Sequence, residues 1–400
     1  MYQEFIALQQ NQTWSLVPPP PMANILVVAG CFVPKPELMV LSKEDKHDCK
    51  IYFLVYVDDN VITSSHSSTI NSLISALGRA FLVKDLGDLS FFLGVEVDHT
   101  AHGLILFQGQ YIKQLLTGSK MLHTKPSNSP MAANLKLSKF DSPDFEDATL
   151  YRSIVGGLQY LSLNRPDLSF AVNKVCQFMH TPKASHWTVV KCSLRYLKAT
   201  INYVLLFKPQ TDFSLQAYSD ADWGGCPDDR RSTRRFCIYL GHHLISWSSK
   251  KQSTVARSST KAEYKSLASL AAKVIWLQTV LHELGVFLST APTLWCDNIG
   301  VIYLSMNPIY HSKTKHMDID FHFVRDRVAA NTLQVQFCSS QDQLANLLTK
   351  PIVADRFHRL RSSLNVVDTS LASKGCIKLN DSSETLHKHK DGITGGTAIT

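Results

Sequence analysis

The chain has 400 residues, 44% of them hydrophobic and 18% charged, with a formal net charge of +8. That length exceeds what one core usually holds, so two or three domains are expected, and the composition excludes a disordered or fibrous chain. The basic excess suits a polyanionic partner, while the longest apolar runs, such as Ile51 to Val57, are far too short to span a bilayer.

Residues 1–50 are the least regular part. MYQEFIALQQN predicts a short amphipathic helix, stopped by the run Pro18 to Pro21, which favours an extended polyproline conformation. Asn24 to Val33 predicts a strand and Pro34 to Lys50 a loop. The N-terminus has no signal-peptide pattern. The nine cysteines are scattered, with no C-x-x-C pair and no Cys/His group at zinc spacing. That usage predicts reduced thiols in an intracellular protein, cytoplasmic or nuclear and not secreted, without zinc.

From residue 51 the pattern becomes regular. Ile51 to Thr63 predicts a hairpin with Asp58 and Asp59 at its bend, and Ser68 to Phe81 a helix. Strands over 90–97 and 104–107 flank the turn His102-Gly103, and a helix follows over 109–116. Pro126, Pro130 and Pro143 break the next stretch into loops, after which helices are predicted over about 149–163, 166–180 and 185–199. Short strands over 214–221, 236–240 and 244–248 lead to a long helix from the cap candidate Ser259 to Leu284. A strand over 293–296, helices over 298–305 and 316–330, a strand over 333–338 and a helix over 341–348 complete the ordered part. Residues 366–400 are polar and predicted to be disordered.

Two groups of carboxylates carry the chemistry. Asp58 and Asp59 interrupt an aliphatic run, where adjacent charges are costly to desolvate unless a cation sits on them. Asp220 in AYSDADW, Glu263 in STKAEY and Asp297 in TLWCDN form a second, dispersed group, each at the end of a predicted element. Both groups suit magnesium and phosphodiester chemistry. Taken singly, each residue of the second group has a blander explanation: Asp220 as a turn former, Glu263 as a solvated first-turn residue, Asp297 as a helix cap.

The ordered stretches LVYVDD, KDLGDLSFFLGVEV, YRSIVGGLQYLSLNRPDLSFAV, AYSDADWGGCPDDRRST, ISWSSKKQSTVARSSTKAEY, LWCDNIGVIYLSMNP and SKTKHMDIDFHFVRDRV resemble the C-terminal part of copia-type long-terminal-repeat retrotransposon Pol polyproteins. The resemblance covers roughly residues 51–365 and, in pieces, the opening YQEFIALQQNQTWSLVPPP. It implies an α/β and α+β multidomain chain. Residues 1–50 would be a residual reverse transcriptase segment with an internal deletion, and 51–205 a partial palm with its helical connection. Residues 206–365 would be a ribonuclease H-like domain, a mixed five-stranded sheet with flanking helices, and 366–400 a tail.

By the same resemblance, Asp58 and Asp59 are a polymerase remnant, because the strand that supplies the family's third palm aspartate is missing. Asp220, Glu263 and Asp297 would hold two Mg²⁺ ions, with Mn²⁺ as a substitute, for cleavage of RNA in RNA–DNA hybrids. The family's fourth carboxylate falls on Asn346, a degenerate position that loses a charge. Arg234-Arg235 replaces the family's usual small residue and glycine, either straining that hairpin or adding to a basic surface. The hybrid would lie on Arg230, Arg231, Lys250, Lys251, Arg257, Lys261, Lys313 and Lys315 through salt-sensitive phosphate contacts. The alternative is a non-catalytic transposon relic that at most binds nucleic acid.

Overall fold

A computed structural model describes residues 37–42, 50–56, 59–80, 84–101, 103–132, 135–306, 318–348 and 354–369. The chain divides into two compact units, 1–87 and 88–400. In the first, β1 (Glu37–Ser42), β2 (Lys50–Tyr56) and β3 (Asp59–Ser64) form an antiparallel sheet in that order, followed by α1 (Ser67–Ala80). The predicted hairpin runs from Ile51↔Ser64 to Tyr56↔Asp59, with Asp58 outside the described residues. The stretch 34–50, predicted as a loop, instead contains β1. Its apolar core Leu38 to Leu41 pairs with Leu54 to Ile51 and satisfies that edge of β2. The predicted helix near residue 5 and strand over 24–33 lie outside the described residues.

The second unit opens with β4 (Phe91–Phe92), β5 (Val95–Thr100) and β6 (Gly103–Phe107). Next come α2 (Gly109–Gly118), α3 (Ala148–Leu161), a 3₁₀ turn at Pro166–Leu168, α4 (Ser169–Cys176), α5 (Ala184–Ala199) and β7 (Tyr203–Phe207). The chain continues through β8 (Leu215–Asp222), β9 (Thr233–Leu240), β10 (His243–Lys251) and α6 (Ser259–Glu283). Then follow β11 (Thr293–Cys296), α7 (Ile299–Met306), α8 (Asp318–Ala329), β12 (Gln334–Phe337), a second 3₁₀ turn at Leu344–Leu348, α9 (Ala354–Ser363) and β13 (Val366–Asp368). No helix among the described residues is long and apolar enough to cross a membrane.

Strands β8 to β12 form a mixed five-stranded sheet, ordered β10-β9-β8-β11-β12, where the resemblance implied one. Strands β8, β9 and β10 are antiparallel neighbours, while β11 runs parallel to both β8 and β12. The alternation of β8 explains its two faces. Leu215 and Ala217 join Leu267, Leu270, Ala271 and Val274 of α6 in one core, and Ala221 packs with Ala262. Tyr218 on the other parity packs with Cys237, Tyr239 and Leu244 against a core built largely from α3, α4 and α5. Residues on both sides of position 205 therefore share one core.

A second sheet, β13-β7-β6-β5-β4, uses two strands that the sequence reading did not anticipate. Val366–Asp368, placed there at the start of a disordered tail, pairs antiparallel with β7 from Val366↔Leu205 to Asp368↔Tyr203. Two valines are enough for a short edge strand once a partner is present. The predicted helix over 341–348 is realised only as the 3₁₀ turn Leu344–Leu348.

Candidate metal centre

Small side chains bring the first two acids of the second group toward each other. Ser219 of β8 donates its hydroxyl to Ser266 of α6 at 3.0 Å, and Ser266 Oγ reaches the Asp220 carbonyl at 2.9 Å. Both serines are fully or almost fully buried. Two hydroxyls and the alanines beside them let the helix lie close to the strand, as packed interiors require. Glu263, three residues before Ser266, shares its helix face and so reaches the end of the sheet. The helix is capped by Ser258, one residue earlier than the predicted Ser259, whose hydroxyl accepts from the Lys261 amide at 3.3 Å.

Asp297 follows directly on β11, whose parallel register with β8 runs from Thr293↔Gln216 to Trp295↔Tyr218. Glu263, Cys296 and Asp297 each offer one ligand atom within 4.8 Å of the others. Burial, reinforced by Asp297 and Asp220, pushes the Glu263 carboxyl up to about 7, against hydrogen bonds from Asn298 and Cys296 that pull it down. Burial also pushes the Cys296 thiol far up, so it stays protonated and donates to Glu263 Oε2 at 3.9 Å. Among the described residues neither Glu263 nor Asp297 is in an ion pair. Two convergent oxygen donors in a partly buried setting fit a hard divalent cation, and the protonated thiol does not compete for it.

Asp220 lies outside that 4.8 Å cluster, although it is close enough to act on Glu263. It is buried, and its register partner on β9 is Arg235. Arg235 is 0% exposed, which overturns the reading of it as surface charge. Its guanidinium lies 3.2 Å from Asp222 and 5.2 Å from the Phe170 ring centroid. Lys174 of α4 lies 3.9 Å from the same Asp222 oxygen. Asp222 also accepts from the Thr233 amide. Asp222, Arg235 and Lys174 are absent from the sequence-predicted set; the i, i+2 spacing of Asp220 and Asp222 on one strand was the signal that could have found the first.

Asn346 is buried in the 3₁₀ turn and donates its side-chain amide to the Ser340 carbonyl at 2.8 Å. Ser340 in turn donates its hydroxyl to Asp297 Oδ2 at 2.8 Å. Gln343 fastens the turn to β8 through the Ser219 carbonyl at 3.0 Å. Asp342, one turn away, is exposed and occupied by Ser339.

Of the basic residues, Arg230, Arg231, Lys250 and Arg257 are exposed and Lys261 is half-buried. Lys251 is engaged locally, 2.8 Å from Asp229 and 3.0 Å from the Cys226 sulfur. Asp58, Lys313 and Lys315 lie outside the described residues.

Comparison with known proteins agrees with this organisation. Residues 32–133 match the family model of reverse transcriptase (RNA-dependent DNA polymerase). The retrovirus-related Pol polyprotein from transposon RE2 of Arabidopsis thaliana is 44% identical over 329 residues, 82% of this chain but 23% of the polyprotein. An uncharacterized mitochondrial protein of the same plant is 44% identical over 226 residues, 56% of this chain and 94% of that protein. Among solved structures, the foamy viral protease-reverse transcriptase in complex with RNA/DNA hybrid aligns over 72% of this chain and 36% of its own, at a TM-score of 0.40 and 12% identity. The chain belongs to the copia-type Pol polyproteins of retrotransposons, with a reverse transcriptase region. It spans less than a quarter of the length of the RE2 polyprotein.

Proposed function

We propose that the ribonuclease H-like part of this chain cleaves RNA in RNA–DNA hybrids with a divalent metal, Mg²⁺ in the cell. The convergence of Glu263 and Asp297 within 4.8 Å, with no cation paired to either among the described residues, carries this reading. These two residues would hold the ion, with Asp220 beside them at the buried end of β8. A hard cation there supplies Lewis acidity to a phosphoryl oxygen and lowers the pKa of a water. The protein's own share is orientation. Ser340 fixes the Asp297 carboxylate, Cys296 and Asn298 hold Glu263, and the exposed Lys250 and Arg257 are available to phosphates.

We read the polymerase half as a remnant without an activity of its own. On the side of β2 away from β3, its described sheet places ELMVLS, whose one acid is Glu37 and which offers no aspartate to oppose Asp58 and Asp59. Two-metal phosphoryl transfer needs carboxylates on both sides of the ion pair. The test uses the full chain with a labelled RNA–DNA hybrid and Mg²⁺, beside Glu263→Gln. Cleavage that Glu263→Gln abolishes supports the reading; no cleavage at any Mg²⁺ or Mn²⁺ concentration leaves the non-catalytic alternative.

A further inference from the structure

The acidic residues at this end of the sheet divide into two pairs with opposite electrostatic situations. Glu263 and Asp297 face each other with no ion-pair partner among the described residues. Asp222 meets two cations brought by other elements, and Asp220, two residues before it on β8, lies on the same face. Arg235 stands opposite Asp220 in the β8–β9 register, where cross-strand side chains are close neighbours, and its Nη2 lies 3.2 Å from Asp222. Lys174 approaches the same carboxylate at 3.9 Å from α4.

Arg235 has no route to solvent. It is 0% exposed, its guanidinium is covered by the Phe170 ring, and its Nε and Nη1 have no hydrogen-bond partner among the described residues. A buried guanidinium with two idle donors is tolerated only where opposite charge is close, and here that charge is the Asp220–Asp222 pair. Asp222 is set against two cations, with Lys174 and Asp222 both only about 15% exposed. A divalent cation entering between Asp220 and Asp222 would meet two like charges that cannot move into water.

We propose that Arg235 and Lys174 are resident counter-ions of Asp222, with Arg235 also bearing on Asp220 across the strands, so that this chain takes one divalent cation, at Glu263 and Asp297, in place of two. The inference rests on the reading of Glu263 and Asp297 as a metal site. It makes Arg235 a specificity-determining residue for metal stoichiometry, acting through charge.

The test is Mn²⁺ binding to the full chain, by calorimetry and by the electron paramagnetic resonance signal of free Mn²⁺. The unmodified protein is expected to bind one ion. Arg235→Met keeps the buried volume and removes the charge, and is expected to admit a second ion or to tighten binding at least tenfold. Arg235→Lys, which restores a charge, is expected to behave as the unmodified protein does. Unchanged stoichiometry and affinity in a folded Arg235→Met overturns the proposal. If that variant does not fold, Lys174→Met decides: binding tightened severalfold supports the proposal and unchanged binding overturns it. Glu263→Gln separates the two levels. If it binds Mn²⁺ as the unmodified protein does, the metal-site reading fails and this inference with it. If it loses binding while Arg235→Met changes nothing, the inference alone fails.

Discussion

Asp297 and Asn346 are joined through one residue: Ser340 gives its hydroxyl to the carboxylate and takes the Asn346 amide at its carbonyl. The degenerate position is thus wired into the same neighbourhood as the open carboxylate pair, and it acts there as a donor. Asn346→Asp would add a charge for a cation but turn a donor into an acceptor facing the Ser340 carbonyl. Losing a buried hydrogen bond in this way costs about 1–3 kcal/mol. The variant is expected to melt lower than the parent in EDTA and to regain that loss in Mg²⁺, with cleavage of the hybrid raised. Thermal unfolding in both buffers, beside the cleavage assay, checks the pair of effects. Equal melting shifts with and without Mg²⁺ would exclude Asn346 from the metal's surroundings.

Glu263 makes the metal-free protein sensitive to pH. Its folded value of about 7 lies above the ordinary carboxylate range of an unfolded chain. Between roughly pH 4.5 and 7 the folded state holds a proton that the unfolded state has lost, so unfolding free energy falls as pH rises through that window. Half-burial and solvent screening reduce the size of the effect. Metal binding reverses the sign, because an ion needs the ionised carboxylate and so gains affinity toward pH 7 and above. Denaturant melts of the EDTA-treated protein at pH 5 and 7.5 are expected to show the loss, and Glu263→Gln to flatten it.

The elements of this fold that stand on regular apolar spacing were legible in the sequence. Helix α6, strand β11 and the hairpin of β2 and β3 appear within a residue or two of their expected bounds. What escaped depended on partners far along the chain. Residues 366–368 form a strand only because β7 offers an edge, and β1 forms because β2 does. Arg235 is the sharper case. Composition assigns arginine to the surface, and only the strand register opposite Asp220, with Phe170 from another helix above it, makes its burial intelligible. The site followed the same rule. The motifs named Glu263 and Asp297, which the fold brings together, whereas Lys174 and Arg235 reach Asp222 only through the packing of α4 and the register of β9.

Closeness of α6 to β8 depends on the buried hydroxyl pair of Ser219 and Ser266. Ser266→Leu places a branched side chain where two backbones and a serine already meet, and overpacking of this kind costs about 1–3 kcal/mol. Because Glu263 rides on the same helix face, the variant is expected to lose Mn²⁺ affinity along with stability. Ser266→Ala keeps the space and is expected to retain metal binding. Calorimetry on both variants, normalised to folded protein, separates displacement of Glu263 from simple loss of fold.

Residues 206–365 taken alone would uncover the face of the sheet that α3 to α5 close. Tyr218, Cys237, Tyr239, Leu244 and Trp247 would lose their cover from the helices that carry Val155, Leu158, Val172 and Val175. An exposed apolar face of that extent favours association. The fragment is expected to elute as aggregates or to unfold at lower denaturant than a fragment over 88–369, which keeps both sides of the core. Size-exclusion chromatography and urea melts of the two decide it; equal stability would mean that the sheet of β8 to β12 folds without helices α3 to α5.

Hybrid binding separates the basic residues by what already holds them. Lys250 and Arg257 are exposed, whereas Lys251 is held by Asp229 and Cys226. Replacing Lys250 and Arg257 together by alanine removes two cations free to meet phosphates, so the slope of log K against log salt is expected to fall by about 2. Lys251→Ala is expected to leave that slope nearly unchanged and to lower stability slightly instead, since Asp229 loses the nearer of its two cations, the other being Arg231. Fluorescence anisotropy of a labelled hybrid across a salt series, with catalysis blocked by EDTA, measures the slopes directly. A Lys251→Ala slope reduced as far as that of the double variant would place Lys251 on the nucleic acid and its pairing with Asp229 in the free protein only.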